Sequence, residues 1–319
     1  MKRYIAKIGL AVVLVSLTAC NDWLDVSPKT EIKAKDNFSS EQGFKDALTG
    51  CYLTMTSSSL YGKELTFGLL DVLAQYYTGI TGDNHSYAHE VIYDYDASSS
   101  ETRINAVWED GYNLIANINE LIAYVDKADT RMFTGRNYHL IRGEAYGLRA
   151  QMHFDLLRCF GKSYAAGPTE KAIPYITENS KKVTPLSTVE AVLAKILADL
   201  EIAESELQCD PVITGSVASP DDDVTYERDR TFKFNYYAVK MLQARVYLYM
   251  GNYEKAEAAA RVVVNQESFT FTPESEISTT DVASKNYVFS QELVFALYNS
   301  DLQSLYTASF TVSYTHLRA

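Results

Sequence analysis

Basic residues are in short supply. Lys and Arg number 29 against 41 Asp and Glu, a net charge of −12 over 319 residues, so the positive footprint of a nucleic-acid binder is missing and no anionic membrane surface is expected to attract the chain. Cysteine is scarcer still. The four present, Cys20, Cys51, Cys159 and Cys209, include no CxxC pair, which excludes a zinc ribbon or a thioredoxin-type centre. There is no G-x-S-x-G, Walker loop, dinucleotide fingerprint or H-E-x-x-H, so a catalytic reading has no constellation to stand on. The apolar run Ile8–Leu17 is too short to cross a bilayer as a helix, which takes about 20 such residues.

What is present is globular in kind, with 47% hydrophobic and 22% charged residues, enough for one large domain or two modest ones. Lys2, Arg3 and Lys7 ahead of the Ile8–Leu17 run make a secretory signal peptide. It ends in "LTAC", which resembles the bacterial lipoprotein lipobox, so residues 1–19 are expected to be removed and Cys20 to become the lipidated first residue, holding the mature protein to a membrane. The odd number of remaining cysteines leaves no complete disulfide framework, and Cys159, on an apolar helical face, is expected to pack as a small hydrophobe. Tyrosine is abundant, 24 residues, a side chain that offers both an apolar face and a polar tip to a ligand.

Hydrophobic periodicity reads mainly as helix. Residues 21–37 form a polar entry segment. A helix should then start at Ser39, with Gln42 completing a capping box and Phe38 a staple. The apolar stretch Leu65–Tyr77 is expected to be helical, and residues 78–100 to form a long loop. Val107, Leu114, Ile118, Leu121 and Val125 mark a long helix. Ile141, Ala145, Leu148, Met152, Leu156 and Cys159 mark an amphipathic one stopped by Gly161. Ser187 and Glu190 suggest a capping box for the stripe Val189 to Leu207, and residues 208–230 a polar insertion. Ala244, Tyr247, Gly251, Tyr253, Ala256 and Ala260 match the small, aromatic and glycine positions of a tetratricopeptide helix hairpin, without a clean 34-residue period.

Six blocks in order resemble the SusD/RagB family of glycan-binding outer-membrane lipoproteins: the lipobox with "NDWLDV", "NFSSEQGFKDALTGCY", "VWEDGYNLIANINELI", "GEAYGLRAQMHFDLLRCFG", "ARVYLYMGNYEKA" and "SQELVFALYN". The resemblance covers Cys20 to about Asn299. It implies a mainly α fold of tetratricopeptide-like hairpins over residues 20–310, with irregular loops and a few short strands, the "SQELVFALYN" block among them. It also implies a cell-surface protein, anchored in the outer membrane through lipid on Cys20, that captures oligosaccharide, or peptide in some members. Such a protein serves as the lid of a SusC-like TonB-dependent transporter and performs no chemistry.

Sugar recognition needs flat aromatic faces and planar polar groups. The stretch holding both is the loop "GDNHSYAHEVIYDYD", so Asp83, Asn84, His85, Tyr87, Tyr93 and Tyr95 are the expected ligand-binding residues. Trp108, within a helical block, is assigned to packing. His85, His89 and Glu90 do not read as a metal-binding helix face, and no metal site is expected. "SPDDD" is a solvated acidic turn that lacks a calcium loop's spacing, leaving calcium a weak alternative to no cofactor at all. The alternative to glycan capture is a tetratricopeptide scaffold lipoprotein for protein partners, and a glycoside hydrolase would need two carboxylates about 5 to 9.5 Å apart across a cleft. Family members run longer than this chain. Its ending "VSYTHLRA" can be written with the codons of a sequencing-library adapter, so residues 311–319 are expected to be a non-native tail, with a C-terminal domain missing.

Overall fold

A computed structural model describes residues 34–80, 85–215, 224–281 and 283–310. Cys20, the expected signal segment 1–19, the "SPDDD" residues and the expected tail 311–319 lie outside these residues. The chain divides into two compact units, residues 1–43 and 44–319.

The helix α1 (Glu41–Met55) begins at the end of the first unit, one residue later than the spacing suggests, and most of its length belongs to the second. Ser40 is the cap, its Oγ accepting from Gly43 N at 3.3 Å, while Ser39 Oγ donates backward to Asp36 O at 2.6 Å. Gly43 has no room for a side chain, because the carbonyl of Asn37 occupies the place a Cβ would take.

The second unit is a stack of helices: α2 (Leu69–Leu73), α3 (Ser98–Val125), α4 (Asn137–Phe160), α5 (Val189–Glu206), α6 (Tyr236–Tyr249), α7 (Tyr253–Val264) and α8 (Leu302–Phe310). From α3 to α7 each packs on the next in chain order, the mainly α arrangement expected. The hairpin α6–α7 turns on Gly251, whose φ of +72° suits a residue without a Cβ. Asn252 then caps α7 by accepting from Lys255 N. Ala244, Ala256 and Ala259 are buried where the helices meet, and Tyr253 projects outward instead of packing.

Helix α4 departs from its expected amphipathic character. It is buried nearly all round, polar residues included, because α3, α5 and α6 all pack on it. Close approach is built into its sequence. A Cβ on Gly143 would lie 2.6 Å from Leu207 and one on Gly147 would lie 2.3 Å from Phe234. Between them Glu144 accepts from Arg230 Nη1 at 2.6 Å and from the Tyr52 hydroxyl at 2.7 Å, and Asp210 holds the rest of the Arg230 fork at 2.9 and 2.8 Å. One turn on, Arg149 grips Asp199 with two bonds of 2.7 Å. His153 donates to Arg149 O and accepts from Ile176 N, with its ring stacked on Tyr175 at 3.9 Å. A core so threaded with charge holds together because its ionised groups are paired and hydrogen-bonded.

Other expectations are corrected. Only Leu69–Leu73 of the Leu65–Tyr77 stretch is helical, since the chain before it coils through successive turns and Gln75 adopts a φ of +60°. Helix α3 starts at Ser98, so the loop is shorter than expected. The cap of α5 is Thr188, accepting from Ala191 N, while the backbone of Ser187 accepts from Ala172 N and donates to Ile173 O beside an isolated antiparallel bridge between Lys171 and Thr188. The ends of the 208–230 segment are core, carrying buried Asp210, Tyr226, Glu227 and Arg230. Cys159 is exposed, which corrects its expected packing as a small hydrophobe. The expected strand at Ser290–Asn299 starts as a single 3-10 turn, Ser290–Glu292. Val294 and Ala296 then bond to Asn235 and Thr231 rather than to a parallel or antiparallel neighbour, and no named strand occurs among the described residues.

Candidate functional site

The loop expected to meet ligand is fastened from beneath. Arg103, in the second turn of α3, sends Nη1 to Glu64 at 2.7 Å, Nε to Glu90 at 2.8 Å and Nη2 to the carbonyl of Ser86 at 2.7 Å. Glu64 also accepts from Leu69 N at 3.0 Å and so caps the short α2. Burial pulls the Arg103 guanidinium toward losing its proton, but Glu90 and Glu64 more than offset this and raise its pKa.

Tyr87 belongs to this foundation, which corrects its assignment as a ligand residue. It is fully buried, its hydroxyl donates to Glu64 at 2.9 Å, and the Arg103 guanidinium lies 4.1 Å from its ring centroid. Burial, then the Glu64 charge, pushes the phenol far above its ordinary range. Val72 shares its small core, with Phe67, Tyr77, Ile80 and Val91 packed around them. His85 is half-buried beside Tyr87, 6.1 Å between ring centroids. Burial lowers its pKa against an opposing pull from Glu90. Asp83 and Asn84 lie outside the described residues.

Above the foundation the loop displays its aromatics. Tyr93 and Tyr95 are 49% and 50% exposed, their ring centroids 6.5 Å apart and tilted by 56°. Tyr93 takes a left-handed turn (φ 60°) and donates its hydroxyl to Leu73 O at 3.1 Å. The Gln75 amide donates to Val91 O at 2.9 Å, so the loop is tied to the end of α2 at two neighbouring points, Val91 and Tyr93. Tyr76 and Ile92 are exposed as well, and the residue pattern did not single them out. A turn of positive φ at Gln75 was the signal that could not be read, since Gln seldom adopts it.

His89 pairs with Asp94 at 2.9 Å and Glu90 turns inward to Arg103, so the three side chains do not converge, and among the described residues no three His, Cys, Asp or Glu gather as a metal site. Trp108 packs, with Tyr112 at 4.7 Å and Phe160 edge-on at 4.9 Å.

A concavity of about 410 Å³ lies among Thr56, Tyr61, Phe67, Phe295, Leu297 and Leu302. Beside it a cleft of about 360 Å³ shares Thr56 and Leu297 and adds Arg228, Asp229, Phe232, Lys233 and Tyr298. Neither was legible in the sequence, because their walls come from positions hundreds of residues apart.

The fold and these surfaces can be set beside known proteins. Residues 22–248 match the family model described as "Starch-binding associating with outer membrane", SusD-like. The chain belongs to this SusD-like family. Its relatives include the SusD-like protein P2 of Formosa agariphila, 25% identical over 84% of this chain and 47% of that protein, and P25 of the same organism, 21% identical over 89% and 50%. The chain thus spans about half the length of these relatives. A SusD superfamily protein from Bacteroides fragilis shares the fold with a TM-score of 0.63 at 21% identity, covering 83% of this chain and 57% of that one. The surface glycan-binding protein A of Bacteroides fluxus does so at 0.53 and 17%, covering 80% and 50%. The SusD-like blocks "VWEDGYNLIANINELI" and "GEAYGLRAQMHFDLLRCFG" supply Asn119, Glu144 and Arg149 to the buried networks, so these parts of the family pattern serve packing.

Proposed function

We propose that this protein is a cell-surface lipoprotein, anchored in the outer membrane through Cys20, that captures oligosaccharide and passes it to a SusC-like TonB-dependent transporter without chemically altering it. The observation that carries the reading is the pinned loop with its two half-exposed tyrosines. A pyranose offers an apolar C–H face ringed by hydroxyls, and Tyr93 and Tyr95 present aromatic faces whose positions are held in advance by Arg103, Gln75 and the carbonyl of Leu73. Membership of a family described as starch-binding and outer-membrane-associated supports it, as do glycan-binding and carbohydrate-binding SusD-like neighbours.

The test is calorimetric titration of the full chain with a panel of neutral oligosaccharides, maltoheptaose among them. Replacing Tyr93 and Tyr95 by Ala should each weaken the best ligand by about three- to tenfold, the range of an aromatic contact. An unchanged affinity in the double variant would reject the loop as the site. Cleavage of any oligosaccharide by the purified protein would reject the non-catalytic reading. Retrieval of the transporter by the lipidated protein from outer-membrane extracts tests the partnership separately.

A further inference from the structure

Arg103, Arg142, Arg149 and Arg230 each meet a carboxylate within 2.8 Å, as expected where acidic residues outnumber basic ones. In the 360 Å³ cleft Arg228 departs from this pattern of the arginines, and it is joined there by Lys233. Neither Arg228 nor Lys233 forms an ion pair among the described residues, although Asp229 shares the cleft with them. Lys233 is held by rings instead, its Nζ 5.2 Å from the centroid of Tyr52 and 5.3 Å from that of Tyr226, which positions the ammonium while consuming none of its three donors. The backbone bearing both cations is anchored between them, where Arg230 is locked to Glu144 and Asp210, and the Tyr52 hydroxyl in the cleft wall is engaged by Glu144 and Phe234 N. Phe232 and Tyr298 meet edge-on at 6.4 Å and 89°, and Tyr298, 75% exposed, keeps an open face.

We propose that this cleft is a subsite for an acidic sugar, in which Arg228 and Lys233 take the anionic substituent while the C–H face of the pyranose lies on Tyr298. The unused planar fork of Arg228 fits a uronate carboxylate best, and the chemistry is shared by a sulfate ester. No residue of the Tyr93 and Tyr95 loop lines this subsite, which gives the glycan reading a substrate class. It rests on that reading.

The experiment titrates the full chain, and its Arg228→Gln and Lys233→Gln variants, with tetragalacturonate, its carboxyl-reduced neutral counterpart and a sulfated galactan tetrasaccharide. Wild-type protein should bind tetragalacturonate at least about tenfold more tightly than the neutral form, with an affinity that falls as salt rises. Each variant should lose about tenfold for the charged ligand and nothing for the neutral one. Arg228→Gln changes an exposed side chain, and an unaltered melting curve confirms its folding. Tighter binding of the sulfated ligand through the same two residues supports the subsite and names sulfate as its source. Equal affinity for charged and neutral tetrasaccharides, or variants that leave tetragalacturonate binding intact, would overturn the proposal while glycan capture stands. Failure of every saccharide in both titration panels would overturn the two together.

Discussion

Arg230 and Arg103 are each enclosed by two carboxylates and accompanied by a buried tyrosine, yet they organise different parts of the molecule. Arg230 draws together Tyr52, Glu144 and Asp210 from remote stretches of the chain, and every carboxylate oxygen in that cluster has a partner, Val212 N and Tyr236 N completing Asp210. Arg103 gathers Glu64, Ser86 and Glu90, its farthest partner 39 positions away, and one Glu90 oxygen, Oε2, is buried without a hydrogen bond. The first cluster is a clamp that joins α1, α4 and the start of α6 through the segments about Asp210 and Arg230. The second is a local footing for one loop, with an unsatisfied acceptor that lowers its worth. The same chemistry therefore specifies a fold in one place and presents a surface in the other.

That contrast can be broken at either end. Arg230→Ala should have the largest effect, about 3–5 kcal/mol of global stability, because it strands two buried carboxylates; urea denaturation measures it, and a loss under 1 kcal/mol would remove the clamp from the account. Arg103→Ala should cost about 2–3 kcal/mol and act locally. Hydrogen exchange should quicken over residues 85–97 while α4 stays protected, and equal loosening of α4 would erase the distinction.

The core can also be probed by pH. Burial, the main cause, lowers the His153 pKa from 6.5 to about 3, so the folded state holds the ring neutral while the unfolded chain protonates it below 6.5. The stability from this group is complete above about pH 6.5 and drains away as pH falls toward 3. At pH 5 it should have lost about 2 kcal/mol, measurable by urea melts at pH 7.5 and 5 alongside NMR of the imidazole, which should still be neutral in the native state. Gly147→Ala, which drives a methyl into Phe234, should cost about 1–2 kcal/mol with the loop undisturbed. Smallest of all, Tyr93→Ala and Tyr95→Ala should shift stability by no more than about 0.5 kcal/mol, so any loss of oligosaccharide affinity in those variants reports contact rather than unfolding.

Much of the helical framework was legible residue by residue. The α6–α7 hairpin followed from Gly251 with its flanking alanines and tyrosines, and the long α3 and α4 from their apolar spacing. Caps were read one residue early at Ser39 and Ser187, because adjacent Ser–Ser and Ser–Thr pairs carry the same local signal and only the geometry of the first turn chooses between them. The Leu65–Tyr77 stretch misled for a related reason, since its apolar residues surround a turn-rich core about Glu64 instead of lining one helix face.

The sequence by itself determined the mainly helical class and the SusD-like blocks, both of which depend on residues near one another in the chain. Only the tertiary structure decided which tyrosine of the loop faces water. Tyr87 is drawn under by Glu64 and Arg103, while Tyr93, six residues on, is turned outward by its left-handed backbone. It alone set Arg228, Lys233 and Tyr298 around one cleft with Tyr52. Periodicity reports the face of a helix a residue occupies, but burial and charge pairing depend on what distant segment arrives against that face.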